Sequence, residues 1–466
     1  MHSLTLKDVA RITGGMLHGD GNLVVTGVAT DSHSVKPGDL FCAIVGERVD
    51  GHDFASDAFE SGAIAVLGTR EINGPCVVLE KADGLDAVIV ALGELAKNER
   101  AVLHDVNVIG ITGSSGKTST KDIIGQVVAH CGVTQSPAGS PNNELGMPLT
   151  VLQASSDTNN YVLEMGMRGL GHIAYLCDIA RPTIGVVTNV GLAHAGEVGG
   201  IKDIAKAKSE LVRGLDENGC AILNADDVNV AAMATLAQGD VLTYGFADSA
   251  DVRVSDLVIH PDGTSRFVLT HRGSTVTVDL PLMGRHNVSN AAAAAAVGIR
   301  VGMSLDDVAR ALNTVSVLSK WRMEKHSLPN DITLINDAYN ANPDSMKAAF
   351  KTLSDFDTVG SRWAVIAGMH ELGPSSDEEH AALGALAAEL NIDHFVVIGD
   401  LARPALDSAL AAGIDAVWLP EISQASDYIG QKVAAHDVLL FKASRSEGLE
   451  RLAALVQGRI ERGVQQ

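Results

Sequence analysis

The sequence predicts an α/β fold that is divided into three domains, and two observations lead to this prediction. Short apolar runs alternate with helical patterns along most of the chain, which is typical of mostly parallel sheets covered by helices. The chain has 466 residues, which is more than one ordinary hydrophobic core holds, so several domains are expected. We place the boundaries after residues 83 and 317, which gives domains over 1–83, 84–317 and 318–466.

The first domain is predicted to be a small α/β module. Its strand-like runs are short and are separated by turns that contain glycine and aspartate; they read LFCAIVG, AIAVLG and CVVLE. An amphipathic helix follows them, with the sequence LDAVIVALGELAKNER, and leads into the central domain.

The central domain opens with a strand, a glycine-rich turn and a helix. The apolar run at residues 106–112 predicts a buried strand, and the segment Gly-Ser-Ser-Gly-Lys-Thr follows it directly. Glycines let successive N–H groups point at one phosphate, the lysine adds a positive charge, and the helix N-terminus adds a partial one. A threonine hydroxyl suits Mg²⁺. The full P-loop pattern has a glycine where this chain has Ile111, so the motif is a shorter variant.

This motif predicts that the chain binds a nucleoside triphosphate. A flexible Gly/Ser linker would share the composition, but such a linker does not lie directly between a strand and a helix. The predicted phosphate-binding residues are Gly113, Ser114, Ser115, Gly116, Lys117, Thr118 and Ser119.

Strand-like runs and helical patterns continue beyond this motif. The runs NYVLEMG, TIGVVTNVG and AILNADD predict further parallel strands, and an alanine-rich helix follows Asn290. The runs VRVSDLVIH, SRFVLTH and STVTVDLPL predict an antiparallel insert. The alternation restarts after residue 318 as ITLINDAY, WAVIAGM, HFVVIGD and VLLFKAS, which predicts a Rossmann-like α/β domain with its own sheet.

Polar residues follow two of the central strands. Glu164 ends the run at 161–163, and His194 lies beyond the run at 184–187. Ligands of parallel sheets bind beyond the carboxyl ends of the strands, and carboxylates are preferred ligands of Mg²⁺, so Glu164 is a candidate metal ligand. A solvated or helix-capping glutamate is the alternative. His194 could bind a metal or contact the nucleotide site, although a lone histidine is more often structural.

Lys208 interrupts an apolar helical face. In the segment IKDIAKAKSELVRGL it lies between Ile204 and Leu211 on the apolar stripe, whereas Lys202 and Lys206 fall on the opposite face. A buried lysine is costly unless it is paired or neutral. Three explanations stay open: a salt bridge, carbamylation by CO₂, which turns the amine into a carboxylate, and a side chain that reaches solvent at a rim.

Two polar residues of the third domain are further candidates. Asp337 follows the apolar run at 332–335, where a carboxylate can bond ribose hydroxyls, although a turn before Asn-Pro explains it equally well. Arg322 could bind a phosphate through two N–H groups or form a surface ion pair.

Composition and charge exclude several classes of protein. The formal charge of −22 argues against binding of nucleic acid by a basic surface, so an anionic nucleotide must be held by local features. The five cysteines form no CxxC pair, which argues against a zinc site or a disulfide framework. The N-terminus lacks the pattern of a signal peptide and no run predicts a membrane span, so we expect a cytoplasmic protein without membrane insertion.

Several segments resemble motifs of the Mur ligases, the ATP-dependent amide-bond ligases of peptidoglycan precursor synthesis. In chain order they are TGSSGKTST, EMGMRGLGHI, TNVGLAHAGE, AKAKSEL, GRHNVSNAAAA, KWRME and NDAYNANPDSM, so the resemblance spans essentially the whole chain. SPNNELGMPLT and DAYNANPDSM resemble the branch that adds D-alanyl-D-alanine to a UDP-N-acetylmuramoyl-tripeptide. The DNPR signature of the diaminopimelate-adding relatives is absent from the sequence.

The resemblance implies catalytic and metal-binding roles for five residues. Lys117 and Thr118 would contact the phosphates of ATP and Mg²⁺. Glu164 and His194 resemble the ligands of a second Mg²⁺ ion. Lys208 matches the lysine that is carbamylated in several members of the family, where it would add a carboxylate beside the metal.

The resemblance also implies nucleotide and substrate contacts. Asn287 would approach the adenine, Arg322 the phosphates and Asp337 the ribose of ATP. The N-terminal module resembles the part of the family that holds the UDP-sugar, where Ser32 would contact the substrate; the usual Asp-Ser-Arg pattern has His33 in place of the arginine. The remaining substrate contacts are expected from Asn142, Asn143, Asn340, Asn342 and Ser345.

The implied reaction transfers the γ-phosphate of ATP to a peptide carboxylate, and the amine of D-alanyl-D-alanine then attacks the acyl phosphate. ATP and Mg²⁺ are the implied cofactors, and a monomer is expected. Three alternatives stay open: a related ligase that adds a single amino acid, including a folylpolyglutamate-type ligase, a P-loop regulatory NTPase, and a binding protein that has lost catalysis. A regulatory switch needs neither the N-terminal module nor the second α/β domain, which argues against it.

Overall fold

The computed structural model of the protein describes residues 1–81, 84–153, 155, 157–191 and 199–463. Within these ranges the strands form three large sheets and one two-stranded sheet. The large sheets lie within residues 16–78, 107–280 and 324–442. The predicted α/β fold with three parts is therefore confirmed, while the domain boundaries themselves stay predictions.

The N-terminal block contains a small five-stranded sheet. Its elements are β1 (Leu4–Thr5), α1 (Leu6–Thr13), β2 (Met16–His18), β3 (Val24–Val25), β4 (Gly27–Ala29), β5 (Asp39–Cys42), α2 (Ala55–Glu60), β6 (Ala65–Gly68), β7 (Cys76–Val78) and α3 (Ala87–Val102). The strand order is β2-β7-β6-β5-β4, and only β2 runs antiparallel to its neighbour. Helix α3 packs against α1 and against two helices of the central block, so the hydrophobic core is continuous across residue 84.

The central block is built on one nine-stranded sheet. Its elements are β8 (Asn107–Thr112), α4 (Lys117–Val128), β9 (Thr134–Gln135), α5 (Gly146–Leu152), β10 (Asn160–Glu164), α6 (His172–Ala180), β11 (Ile184–Val187), α7 (Ile201–Arg213), β12 (Cys220–Asn224), α8 (Val228–Ala231), β13 (Asp240–Gly245), β14 (Val252–Ile259), β15 (Ser265–His271), β16 (Ser274–Leu280), α9 (Arg285–Arg300) and α10 (Leu305–Leu312). The strand order is β16-β15-β14-β13-β12-β11-β8-β10-β9. The pairs from β9 to β14 are parallel, and β14, β15 and β16 form the predicted antiparallel segment, which extends the same sheet.

The alanine-rich helix α9 packs against α4, the helix that follows the phosphate loop. The alanines at residues 291–296 are all fully buried. Small side chains let two helices approach closely, so this run fixes α4 against the sheet.

The C-terminal block has a six-stranded sheet of its own. Its elements are β17 (Glu324–Leu328), β18 (Ile332–Asn336), α11 (Pro343–Ser354), β19 (Arg362–Ile366), α12 (Ser376–Glu389), β20 (His394–Ile398), α13 (Arg403–Ala411), β21 (Asp415–Leu419), α14 (Ile422–Lys432), β22 (Val438–Lys442) and α15 (Leu449–Gly463). The strand order is β17-β18-β22-β19-β20-β21, and only β17 is antiparallel to its neighbour. The sequence did not predict β17 and β21, which are edge strands with partly exposed residues.

The carboxyl ends of parallel strands in two sheets supply the polar residues described below. Strands β8, β10 and β11 of the central sheet end at the phosphate loop, at Glu164 and at Thr188, while β18 and β22 of the C-terminal sheet end near Asp337 and at Lys442. None of the helices in the described ranges is long and apolar enough to cross a membrane.

Candidate active site

The phosphate loop has a backbone conformation that requires glycine at two positions. Gly113 has a φ of 154° and Gly116 a φ of 77°. A Cβ atom on Gly113 would lie 1.8 Å from the hydroxyl oxygen of Thr188, which follows the neighbouring strand β11. Helix α4 begins at Lys117 without a side-chain cap. The first N–H groups of α4 therefore have no side-chain acceptor at the helix start, which is the geometry that an anion site needs.

Replacing Gly113 by alanine is expected to weaken ATP binding by at least about tenfold, because the methyl group collides with Thr188 and displaces the loop. Titration calorimetry with ATP measures this change. Gly200→Ala is the matched control, since no atom lies within 4 Å of a Cβ atom placed there. Wild-type affinity for ATP in Gly113→Ala would show that the loop geometry does not govern nucleotide binding.

Asn189 holds the phosphate loop in place, and the sequence did not single it out. Its Oδ1 accepts hydrogen bonds from the backbone N–H groups of Ser114, at 3.1 Å, and Ser115, at 2.9 Å. The Thr188 hydroxyl donates to the carbonyl oxygen of Ser115 at 2.8 Å. The loop is thus tied to the end of β11, so the backbone is preorganised before a ligand arrives.

The Lys117 amine donates to the carbonyl oxygen of Gly113 at 2.7 Å. Burial lowers the pKa of Lys117; the charge of Glu164 opposes this shift and that of Arg322 adds to it. The Lys117 side chain therefore folds back over the phosphate loop, where the phosphates of ATP are expected to bind.

Glu164 is a buried carboxylate with three hydrogen-bond donors. Thr118, Ser140 and Asn142 each donate to it at 2.7 Å. Burial alone would raise the pKa of Glu164, but the charge of Lys117 and these hydrogen bonds outweigh burial and hold the pKa below its usual value. The carboxylate is therefore ionised at neutral pH.

Lys208 is buried, as the helical pattern predicted. Its side chain is 1% exposed, Ile204 and Leu211 are buried beside it, and Lys202 and Lys206 are exposed. Neither a hydrogen bond nor an ion pair joins its amine to another residue of the described ranges, so the salt-bridge explanation has no partner there. Burial, together with the charge of Lys117, lowers the pKa of Lys208 well below its usual value.

Two cavities meet at the phosphate loop. Cavity A measures about 420 Å³ and contains the loop, Glu164 and residues of the C-terminal block. Cavity B measures about 360 Å³ and is lined by Lys208 together with residues of α6, of the segment between β10 and α6, and of the segment before α5. Lys117 and Asn142 line both cavities. Lys117 is thus shared by two spaces that separate ligands could fill.

The predicted nucleotide contacts line cavity A except Gly113, which lines cavity B. Asn287 donates to the carbonyl oxygen of Met283 at 2.9 Å and accepts from Asn290 at 3.0 Å, so its amide is partly engaged. Asp337 accepts from the Lys442 amine at 2.6 Å. Arg322 stacks on the Tyr339 ring at 4.1 Å. Its Nε is buried and has no hydrogen-bond partner within the described residues.

His286 and Lys442 also line cavity A, and the sequence did not indicate either of them. Burial lowers the pKa of His286 to about 4, so the ring is neutral, and its buried Nδ1 finds no hydrogen-bond partner in the part of the chain that the structure describes. His286 stands beside Asn287 in the GRHN segment, whose resemblance to the family was a signal for it. Lys442 ends the strand β22, and a lysine at a strand end carries no pattern of its own.

The predicted substrate contacts fall in three places. Asn143 lines cavity B, while Asn340, Asn342 and Ser345 line cavity A. Asn342 and Ser345 also cap α11 reciprocally: Asn342 Oδ1 accepts from the backbone N–H of Ser345 at 2.9 Å, and Ser345 Oγ accepts from the backbone N–H of Asn342 at 3.0 Å. Ser32 is buried in a short turn of the N-terminal block and lines neither cavity.

The donor set near Thr118 suits a hard divalent cation. An ionised carboxylate and a hydroxyl 2.7 Å apart, Glu164 and Thr118, are oxygen ligands of the kind that Mg²⁺ takes. Across the described residues, no three or more histidine, cysteine, aspartate or glutamate side chains are grouped so that they could hold a metal ion. His194, the other predicted metal ligand, lies outside the described residues.

Comparisons with known proteins show which family the chain resembles. Three family models match the chain: Mur ligase family, catalytic domain, at residues 24–100; Mur ligase middle domain at 111–298; and Mur ligase, glutamate ligase domain, at 321–445. The UDP-N-acetylmuramoyl-tripeptide–D-alanyl-D-alanine ligase of Mycobacterium leprae is 38% identical over 98% of this chain and 99% of its own length.

Solved structures lead to the same family. MurF from Acinetobacter baumannii superposes with a TM-score of 0.90 at 31% identity, over 98% of this chain and 99% of its own. MurF ligase from Thermotoga maritima in complex with ADP gives a TM-score of 0.82 at 27% identity, over 94% and 99%. The resemblance found in the sequence motifs is thereby confirmed, and the chain belongs to the Mur ligase family of ATP-dependent amide ligases.

Proposed function

We propose that this ligase joins D-alanyl-D-alanine to a UDP-N-acetylmuramoyl-tripeptide by way of an acyl phosphate. The curated relatives that match along the whole chain are named for this pair of substrates. The observation that carries the proposed route is the position of Lys117, which lines both cavities. ATP in cavity A and a peptide carboxylate in cavity B would reach the same amine from opposite sides.

Charge is the main obstacle to the first step, because the carboxylate and the γ-phosphate are both anionic. Lys117 and the first N–H groups of α4 would offset their repulsion in a site with little water. A carboxylate oxygen then attacks the γ-phosphorus, and ADP leaves with the electron pair of the broken P–O bond.

The second step forms the amide. The neutral amine of D-alanyl-D-alanine attacks the carbonyl carbon, its nitrogen gives up a proton, and inorganic phosphate leaves with the electrons of the C–O bond. Phosphate is a far better leaving group than hydroxide, so the ATP is consumed to make this step feasible. Residues of the central and C-terminal blocks around the cavities would keep out the water that would otherwise hydrolyse the acyl phosphate.

Mg²⁺ is proposed to bind at Thr118 and Glu164. The support is the ionised state of Glu164 and the hydroxyl that already contacts it. The bound ion would supply positive charge to the phosphate oxygens. His194 and a carbamylated Lys208 are the further proposed ligands. We count Lys117, Glu164, His194 and Lys208 as the proposed catalytic set.

The remaining predicted residues are proposed to contact ATP and the two other substrates. Asn287 would contact the adenine, Arg322 the phosphates and Asp337 the ribose; each lines cavity A, and Asp337 keeps acceptor sites beside its bond to Lys442. The proposed contacts to the two peptide substrates and the UDP-sugar are Ser32, Asn142, Asn143, Asn340, Asn342 and Ser345. We propose that a monomer performs the reaction in the cytoplasm, since one chain lines both cavities and ATP is the cosubstrate.

A phosphate-release assay tests the proposed function. With ATP and Mg²⁺, phosphate should appear only when both the UDP-linked tripeptide and D-alanyl-D-alanine are present, in a 1:1 ratio to the new amide. The control replaces the dipeptide with single amino acids. Turnover with a single amino acid would indicate another ligase of the family, and phosphate release without either substrate would indicate a regulatory NTPase.

A further inference from the structure

A buried ion pair lies on α4, one turn beyond the phosphate loop, and the proposed reaction does not use it. Lys121 is 0% exposed, Asp122 is 7% exposed, and the Lys121 amine lies 2.8 Å from Asp122 Oδ1. Neither residue lines cavity A or cavity B. Burial of a charged lysine is costly unless its three N–H donors are engaged. Besides Asp122, the Lys121 amine therefore needs acceptors for its other two N–H groups.

The other donors of Lys121 hold the backbone of one turn. The amine donates to the carbonyl oxygens of Gly139, at 2.9 Å, and of Pro137. Both carbonyl groups belong to the segment between β9 and α5, so the lysine fixes the start of residues 137–146 to the helix that carries the phosphate loop.

The same segment then reaches the candidate metal ligand. Ser140 and Asn142 both donate to Glu164 Oε1 at 2.7 Å, and Asn142 Nδ2 also donates to Ser140 Oγ at 3.1 Å. The carbonyl oxygen of Asn142 accepts from the N–H of Gly166 at 2.7 Å. A chain of hydrogen bonds therefore runs from the Lys121 amine through this turn to the Glu164 carboxylate.

Asp122 is anchored on its other side. Its Oδ2 accepts from the Ser319 hydroxyl at 2.6 Å, and one turn later Gln126 exchanges bonds of 3.0 and 2.9 Å with the backbone of Ser316. These serines lie in the linker that leads to Arg322 and the C-terminal block. The counter-ion of Lys121 is thus itself held, which leaves the amine little freedom to move.

We propose that Lys121 is a positioning residue for the Glu164 carboxylate, acting through the turn at residues 137–142. The proposal rests on the proposed function in so far as Glu164 binds Mg²⁺. Lys117 and Thr118 lie on the first turn of the same helix, so one rigid element sets the loop, the hydroxyl and the carboxylate relative to each other. Replacing a residue that orients a metal ligand without contacting the metal typically lowers metal affinity or activity by about 10- to 100-fold.

The test replaces Lys121 by methionine and uses two measurements. Hydrogen exchange should become faster across residues 137–146 and at the N–H of Gly166, because the turn loses its anchor. The Mg²⁺ concentration that gives half the maximal ligation rate should rise by about 10- to 100-fold. Lys206→Met is the matched control, since this lysine is exposed on α7 and should change neither measurement. If Lys121→Met does not fold, Lys121→Gln keeps two N–H donors on one nitrogen and should give a smaller change of the same kind.

The outcomes separate this proposal from the proposed function. A folded Lys121 variant with the exchange and Mg²⁺ dependence of the wild type would overturn the proposal, as would faster exchange with an unchanged Mg²⁺ requirement. Glu164→Gln is the reference variant. If Glu164→Gln needs no more Mg²⁺ than the wild type, the metal assignment fails, and the exchange at Gly166 alone then decides whether Lys121 positions this strand end.

Discussion

Lys117→Ala is expected to lower the rate of ATP-dependent ligation by about 10³-fold or more. Lys117 lines both cavities, so its amine would be the positive charge shared by the γ-phosphate and the carboxylate that attacks it. Without the Lys117 amine, only the N–H groups of α4 and a metal ion would offset the repulsion between the γ-phosphate and the carboxylate. The loss should fall mainly on the rate of the phosphoryl transfer, because the loop N–H groups that bind ATP remain.

Rapid-quench measurement of ADP formation gives the rate of phosphoryl transfer, and titration calorimetry measures the affinity for ATP separately. Lys202→Ala is the control, because Lys202 is exposed on α7 and away from both cavities. Ligation by Lys117→Ala within about threefold of the wild-type rate would contradict the assigned role. A loss confined to ATP affinity would limit Lys117 to nucleotide binding and remove it from the transfer step.

The parts of the site that could be predicted from the sequence have a local signal. The turn, the charge and the hydroxyl of the phosphate loop lie within one short segment, and the positive φ angles of Gly113 and Gly116 explain why glycines are needed there. The burial of Lys208 followed from the period of one helix. In each case neighbouring residues in the chain carry the whole pattern.

The parts that could not be predicted join the site from distant segments. Asn189 bonds the loop across 75 residues, and Lys442 reaches Asp337 across 105. An asparagine or a lysine that follows a strand has no periodicity to mark it, and only the pairing of the strands brings it to the cavity. The missed edge strands also lack a local signal. Strands β17 and β21 are partly exposed, so they do not have the buried apolar run that identified β8, β19 and β22.

Lys208→Met is expected to raise the midpoint of thermal unfolding while it lowers the ligation rate by about 10²-fold. Keeping this amine neutral inside the protein costs stability, and methionine fills similar space without that cost. The activity falls because a neutral amine can add CO₂, lose a proton and become the carboxylate proposed to stand beside the metal, whereas a thioether cannot. A gain in stability together with a loss of activity would separate a functional lysine from a merely structural one.

The lowered pKa of Lys208 determines how the stability of the wild-type protein changes with pH. The pKa of Lys208 is lower in the folded than in the unfolded chain, so the unfolded chain binds more protons between the lowered value and the ordinary value of 10.5. Stability therefore rises with pH across this window. The penalty is complete below the lowered pKa and vanishes above the ordinary one, so the advantage of Lys208→Met should shrink as the pH is raised toward 10.

Thermal unfolding in buffer freed of CO₂ measures this difference, and Lys206→Met is the control because its side chain is already exposed. The carboxylate itself is tested with Lys208→Ala, whose shortened side chain leaves space in cavity B. Formate or acetate added to this variant should restore part of the ligation rate, since either acid supplies the carboxylate that the carbamate would provide. Without rescue, and with a midpoint difference between Lys208→Met and the wild type that stays constant as the pH is raised, Lys208 would be left with no role in the metal site, and Glu164, Thr118 and His194 would remain its only proposed protein ligands.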